Sequence, residues 1–151
     1  MQKSCDYENA LNLAEAGDHR QALENIRQRL AEAPDDPEAL NDAGVILHCL
    51  RFSDEALEHL ERARQFAPES PEIVWNLVET YLAAGRPQEA QRFFDDMQAM
   101  GILSADALNR TANAFLNNGD IPNALRMLRR SLEFSPEQEI LKPMIEILER
   151  A

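Results

Sequence analysis

The chain has 151 residues, of which 44% are hydrophobic and 28% are charged, a composition that indicates a folded soluble protein and excludes a disordered chain. Its formal net charge of −12 repels polyanions and therefore argues against DNA or RNA as a partner. With 5 glycines, the chain contains no phosphate-binding glycine loop. Two cysteines, Cys5 and Cys49, do not form a disulfide framework and point to a reducing compartment.

The N-terminal residues, MQKSCDYENALNLAEAGD, contain no continuous apolar segment, so no secretory signal is predicted. No stretch of the chain approaches the roughly 20 apolar residues that a membrane-spanning helix needs. We therefore expect a soluble, cytoplasmic protein that has no membrane partner.

The first predicted unit, residues 3–36, has two apolar runs separated by the turn AGDH. Its Asp6 and Asn9 are polar, so its outer face is expected to meet water as an N-terminal cap. The second unit, residues 37–70, follows the helix-capping residue Asp36 and turns at LRFS. Each unit is thus predicted to be a helix, a tight turn and a second helix.

The third unit, residues 71–104, turns at AGRP and is expected to end at a Gly101 C-cap, since Ile102 stands where a proline is expected. The fourth unit, residues 105–138, turns at NNGD. Residues 139–151 form one further capping helix, whose regular part is expected to begin near Pro143. Its apolar side chains are predicted to pack on the last helix pair: Ile140, Leu141, Met144, Ile145 and Leu148.

These units repeat with a period of 34 residues in several independent columns. A helix pair cannot bury its apolar stripe alone, so we predict an all-α, right-handed solenoid that forms a single domain over residues 1–151. A small residue is expected wherever the helices of a pair cross most closely. The columns comprise small residues (Ala22, Ala56, Ala90, Ala124), helix caps (Asp36, Ser70, Ser104), prolines (Pro34, Pro68, Pro136), turn residues (Gly17, Arg51, Gly85, Gly119) and large apolar residues (Leu13, Leu47, Tyr81, Phe115).

This pattern resembles the tetratricopeptide repeat family over roughly residues 3–138. The resemblance implies a non-catalytic protein–protein interaction module, with a partner peptide or protein held in a concave groove lined by the first helix of each repeat. The residues that carry it are Gly44, Leu47, Ala56, Leu60, Ala63 and Pro68 in the second repeat, and Ala112, Phe115, Gly119, Ala124, Leu128 and Pro136 in the fourth.

The groove positions follow from the resemblance. Their register along the chain is set by the repeated alanines, Ala22, Ala56, Ala90 and Ala124. Asparagine amides suit contacts with a peptide backbone, and a tryptophan is a common interface anchor. Solvation of an exposed face explains the asparagines equally well, and core packing is the alternative for Trp75. The predicted groove residues are Tyr7, Leu11, Asn41, Val45, His48, Trp75, Asn76, Glu79, Leu82, Asn109, Arg110, Asn113 and Asn117.

No catalytic, metal or cofactor site is predicted. His48, Cys49 and His59 have no four-ligand spacing, and the paired carboxylates at Asp35 and Asp95 have ordinary surface explanations. A clamp for a C-terminal carboxylate requires several bases in the groove, whereas Arg110 is the one candidate there.

Two other functions stay open at this point. The chain has the size and acidity of small secretion-type chaperones with similar repeats. The other alternative is that the repeats are the scaffold region of a larger enzyme, such as a glycosyltransferase or methyltransferase, which the unpaired final helix and its apolar positions favour. Two segments are predicted homodimer interfaces: the C-terminal helix, through Ile145 and Leu148, and the junction Met97–Leu103, through exposed apolar side chains.

Overall fold

The computed structural model describes residue 12 and residues 15–151, and every regular element among them is helical. The chain divides into two compact units, residues 1–80 and 81–151. The elements are α1 (His19–Glu32), α2 (Pro37–Cys49), α3 (Ser53–Phe66), α4 (Pro71–Ala83), α5 (Pro87–Ala90), a 3₁₀ turn (Gln91–Phe93), α6 (Phe94–Ala99), α7 (Ala105–Asn117), α8 (Ile121–Phe134) and α9 (Leu141–Glu149).

The fold class predicted from the 34-residue period is confirmed, since the chain is an all-α array of helical repeats. In the first unit α2 packs against both α1 and α3. In the second unit α8 packs against both α7 and α9. The repeat boundaries and the single domain over residues 1–151 stay predictions.

The predicted helix starts are capped as their side chains suggest. The Asp36 carboxylate accepts hydrogen bonds from the Glu38 and Ala39 N–H groups at the start of α2. The Ser104 hydroxyl accepts one from the Ala107 N–H at the start of α7. These bonds satisfy backbone donors that have no partner within the helix, which is why such residues recur at one place in the period.

The first helix of each described repeat ends in the same turn, in which one residue adopts a left-handed backbone. The N–H of the following residue then reaches back to a carbonyl of the last helical turn, as Asp120 does to Phe115 at 2.8 Å. Gly101 ends α6 in this conformation too, as predicted, with φ +73°. The left-handed residues of the mid-repeat turns are Gly17 (φ +89°), Arg51 (φ +70°), Gly85 (φ +70°) and Gly119 (φ +75°).

Arg51 is the position at which this turn is strained, because a side chain disfavours positive φ. We expect Arg51→Gly to raise the free energy of unfolding by about 1 kcal/mol. Urea denaturation followed by circular dichroism measures the change. Arg51→Ala, which removes the long side chain but keeps the strain, should leave stability almost unchanged; an equal gain from both substitutions would show that the side chain, not the backbone, is responsible.

The small residues of the period are buried where helices meet. Ala22, Ala56, Ala90 and Ala124 are all 0% exposed. In the first unit, a Cβ added to Gly44 on α2 would lie 3.2 Å from the Ala56 carbonyl oxygen and 2.5 Å from Leu60 Cγ on α3. The backbones of α2 and α3 therefore approach too closely at this point for a larger residue.

The second helix of the third repeat differs from the prediction, because a 3₁₀ turn at Gln91–Phe93 divides it into α5 and α6. Phe93 and Phe94 are adjacent and both buried, and the Phe93 ring stacks on Tyr81 at 6.1 Å between centroids. The Arg86 and Arg92 guanidinium groups lie over the Tyr81 ring at 5.1 and 5.9 Å. Packing of these bulky rings thus outweighs the local preference for a regular helix.

Two expectations about exposed and buried side chains are wrong. Ile140 is 71% exposed, because it precedes α9 and points away from the face on which Leu141 and Ile145 pack. At the Met97–Leu103 junction, Met97 and Leu103 are buried core residues and Met100 and Ile102 are half-buried, so the exposed apolar surface there is smaller than expected. The homodimer predicted through that junction has correspondingly little support.

Candidate functional site

In the first unit, the predicted groove residues lie on α2 and α4 and are joined by hydrogen bonds. The Asn76 amide donates to Asn41 Oδ1 at 2.9 Å, and the Asn41 amide donates to Glu72 Oε1 at 3.3 Å. Asn41 is 3% exposed, so both ends of its side chain are engaged inside the fold. Its observed contacts tie α2 to α4.

The other predicted residues of this unit that the structure describes are half-buried: Val45, His48, Trp75 and Glu79. The Nδ1 atom of His48 is buried and has no hydrogen-bond partner among the described residues. Tyr7 and Leu11 lie outside the described residues. This face of the first unit thus combines polar and apolar side chains, and Trp75 is the largest of the apolar ones.

In the second unit, four predicted groove residues meet at a shallow cavity of about 250 Å³. Arg110, Asn113 and Asn117 follow one another at spacings of three and four residues, which places them on one face of α7. The cavity is lined by Leu82, Ala83, Arg110, Asn113, Ala114 and Asn117. Ala83 and Ala114 are not among the predicted residues, although each follows from the same helical spacing.

The chemistry of this cavity is mixed. Leu82, Ala83 and Ala114 supply apolar surface, while the exposed Asn113 and Asn117 each offer two N–H donors and a carbonyl acceptor. Its volume, about 250 Å³, is below the usual range for enclosed small-molecule sites. The arrangement suits an extended peptide, with side chains against the apolar residues and backbone groups against the amides.

Arg110 places a positive charge beside these amides. It is ion-paired with Asp106 one turn earlier, at 3.8 Å, and both side chains are substantially exposed. An exposed pair of this kind contributes little stability, so its partner can be exchanged at low cost. A carboxylate or carbonyl on a bound segment would be such an exchange partner.

Asn109, predicted to face the groove, has a structural contact instead. Its amide donates to Gln138 Oε1 at 2.6 Å, and the Gln138 amide donates to the Ser131 and Ser135 carbonyl oxygens. Asn109 Oδ1 is buried and accepts no hydrogen bond from any described residue. Gln138 therefore links α7 to the end of α8 through Asn109, a role that the repeat pattern did not indicate.

Two carboxyl groups have shifted pKa values, and neither lines the cavity. Partial burial raises the pKa of Glu89, but hydrogen bonds from Arg86 and the charges of Arg86 and Arg92 outweigh it and hold that pKa below its usual value. A hydrogen bond from the Ser135 hydroxyl lowers the pKa of Glu137. Both shifts have local structural causes.

Among the described residues, no three His, Cys, Asp or Glu side chains are grouped as metal ligands would be. Over the same part of the chain, no helix combines the length and the apolar character that crossing a membrane requires.

Comparisons with known proteins agree with this architecture. Two family models described as tetratricopeptide repeat match residues 7–71 and 53–101, which together are more than half of the chain. The chain belongs to the tetratricopeptide repeat family. Tetratricopeptide repeats are in general protein-interaction modules, and the fold is generally non-catalytic. The sequence matches no curated protein.

Solved structures of MamA share the fold. One is 16% identical, with a TM-score of 0.76, covering 96% of this chain and 79% of that one. MamA from MSR-1 is 19% identical, with a TM-score of 0.72 and coverages of 96% and 83%. MamA from residue 41 onward, from Desulfovibrio magneticus RS-1, is 14% identical, with a TM-score of 0.74 and coverages of 97% and 85%. At these identities the similarity establishes the fold alone.

Proposed function

We propose that this tetratricopeptide repeat chain is a non-catalytic adaptor that binds an extended segment of a protein partner along the inner faces of its first helices. The observation that carries the proposal is the cavity at α4 and α7 in the second unit. There, Arg110, Asn113 and Asn117 meet the apolar side chain of Leu82. All four are among the residues that the family resemblance and the repeat register assign to the groove.

The cavity's chemistry defines the kind of segment that it accepts. Exposed amides bond equally well to any peptide backbone, so recognition by Asn113 and Asn117 tolerates sequence variation. The apolar surface favours a small or aliphatic side chain. Because the whole chain carries a net charge of −12, the bound segment is proposed to be neutral or basic overall.

The groove of the first unit is proposed to use Val45, His48, Trp75 and Glu79, with Tyr7 as an N-terminal contact. Three asparagines were expected to contact the bound peptide, but their side-chain amides already donate hydrogen bonds within the fold: Asn41, Asn76 and Asn109. They are proposed to position the neighbouring helices, and contact with the partner falls to exposed side chains.

A phage-displayed library of random peptides tests this proposal. Peptides selected on the wild-type chain are expected to bind Asn113→Ala/Asn117→Ala about 10-fold or more weakly, since two hydrogen bonds of about 1 kcal/mol each are lost. Isothermal titration measures the dissociation constants. Both asparagines are exposed, so the variant should fold normally.

Gln65→Ala/Gln88→Ala is the matched control, because it removes two exposed amides outside the cavity. The control is expected to bind the selected peptides as the wild type does. Equal affinity for all three proteins would contradict the proposed site. Circular dichroism verifies that each variant keeps its helix content.

A further inference from the structure

Helix α9 repeats the burial pattern of α7, the first helix of the preceding repeat, one period of 34 residues earlier. Leu141 and Ile145 on α9 are 4% and 8% exposed. Their counterparts on α7, Ala107 and Thr111, are 1% and 0% exposed, and α8 packs against both helices. Helix α9 therefore occupies the place of a further first helix. Ile145, which was predicted to lie at a homodimer interface, packs inside the protomer instead.

The face of α9 that corresponds to the contact with a second helix is charged. On α2, this face contains Gly44, where an added Cβ would lie 2.5 Å from Leu60 Cγ on α3. Glu146 occupies the same place on α9, and Lys142 and Glu149 lie on the same side, all three exposed. Their counterparts on α7 are buried: Leu108, Ala112 and Phe115. Solvation accounts for this exchange, because charged residues replace apolar ones where the face meets water.

The groove face of α9 shows the opposite exchange. On α7 this face carries Arg110 and Asn113, together with Asp106, the ion-pair partner of Arg110. Three apolar residues, the apolar stripe of α9, hold these places one period later at spacings of four and three: Ile140 (71% exposed), Met144 (half-buried) and Ile147 (68% exposed). Solvation would favour polar side chains here too, so a bound apolar group is the better explanation of the stripe.

We propose that the groove on α7 continues onto α9, where the apolar stripe binds apolar side chains at one end of the same extended segment. This subsite rests on the proposed function and adds to it a requirement on the partner. Beyond the residues whose backbone bonds to Asn113 and Asn117, the bound segment carries aliphatic or aromatic side chains. These pack on Met144 and Ile147 and remove apolar surface from water.

Two observations favour the segment bound at α7 as the occupant of the stripe. The Asn109 amide donates to Gln138 Oε1 at 2.6 Å, which joins α7 to the residues that lead into α9. The matching burial of the two helices places the stripe in the register of Arg110 and Asn113. An extended segment advances about 3.3 Å per residue, so a few further residues carry it from one helix to the next.

Polar substitutions in the stripe test the subsite. Peptides selected on the wild-type chain from the random library are expected to bind Ile140→Asn/Ile147→Asn about 10-fold or more weakly in isothermal titration, since apolar surface is no longer buried. Both side chains are exposed, and Ile140 is the N-cap of α9, where asparagine is favoured. The variant should therefore keep its helix content, which circular dichroism verifies.

Phe52→Asn/Phe66→Asn is the matched control, because it makes two exposed apolar side chains polar at the two ends of α3. Phe52 is the N-cap of α3 as Ile140 is of α9, and the two rings are 52% and 47% exposed. The control is expected to bind the selected peptides as the wild type does. An equal loss of affinity in the control and in the isoleucine variant would overturn the subsite, since any exposed apolar side chain would then have the same effect.

Asn113→Ala/Asn117→Ala, measured with the same peptides, separates the subsite from the proposed function. Losses of affinity in both the asparagine and the isoleucine variants are expected. A loss in the asparagine variant alone would overturn the subsite and leave the proposed function standing, whereas a loss in the isoleucine variant alone, or in neither, would overturn both. A wild type that sediments at twice 17.1 kDa, with an isoleucine variant at 17.1 kDa and unchanged peptide affinity, would assign the stripe to a second copy and also overturn the subsite.

The sequences of the selected peptides provide a second readout. Peptides selected on the wild type are expected to share a cluster of Leu, Ile, Val, Met or Phe near one end, which peptides selected on Ile140→Asn/Ile147→Asn lack. Replacing the cluster with serine should weaken binding to the wild type about 10-fold and leave binding to the isoleucine variant almost unchanged. Equal losses for the two proteins would show that the cluster contacts another surface, which contradicts the subsite.

Discussion

Phe115→Ala is expected to lower the free energy of unfolding by about 3–5 kcal/mol, the largest effect of any substitution considered for this chain. Phe115 is 2% exposed on α7 and belongs to the large apolar column of the repeat. Removing its ring leaves a cavity in the core of the second unit, where dispersion contacts are lost together with apolar burial. Urea denaturation followed by circular dichroism measures the loss.

Phe134→Ala is the matched control, since it makes the same chemical change at a ring that is 45% exposed at the end of α8. It is expected to cost less than about 1 kcal/mol. Similar losses for the two substitutions would mean that Phe115 does not occupy a close-packed core position. The comparison also separates the effect of removing a buried ring from any general effect of removing an aromatic ring from a helix.

The second large effect concerns the crossing of α2 and α3 at Gly44. Alanine favours a helix over glycine by about 1 kcal/mol, so Gly44→Ala would be stabilising on an exposed helix face. At this site the new Cβ would lie 2.5 Å from Leu60 Cγ, and overpacking of this kind costs about 1–3 kcal/mol. We therefore expect Gly44→Ala to destabilise the chain by about 1 kcal/mol.

A double-mutant cycle with Leu60→Ala shows whether this contact is the cause. Leu60 is 0% exposed, so Leu60→Ala alone is expected to cost about 2–5 kcal/mol. In that background the contacts with Leu60 are gone and the 3.2 Å contact with the Ala56 carbonyl oxygen remains, so Gly44→Ala should cost less than it does in the wild type. Additive effects in the two backgrounds would show that Gly44 and Leu60 do not constrain each other.

Much of the fold could be predicted from the sequence because its determinants are local. Asp36 and Ser104 cap the N–H groups of their own helices, and Gly85 and Gly119 end theirs through a left-handed backbone. Such contacts lie within a few residues, so the same residue type recurs at each period. The shared face of Arg110, Asn113 and Asn117 is also a matter of local helical spacing.

The side-chain contacts that could not be predicted join residues far apart in the sequence. Asn41 and Asn109 fit the pattern of groove residues, yet their amides bond to Glu72 and Gln138, which are 31 and 29 residues further on. No periodicity identifies those partners. Ile140 was predicted to pack but is exposed for a similar reason, since the orientation of α9 on α8 decides which apolar side chains of the C-terminal segment are covered.

The most direct test of the binding face is to map it without any substitution. A ¹⁵N-labelled sample of the chain is titrated with a peptide selected from the random library, and the backbone amide shifts are followed. The largest shifts are expected to cluster on α7 around Arg110, Asn113 and Asn117 and at Leu82 on α4. Shifts confined to α8 and α9, with these residues unmoved, would contradict the proposed binding face.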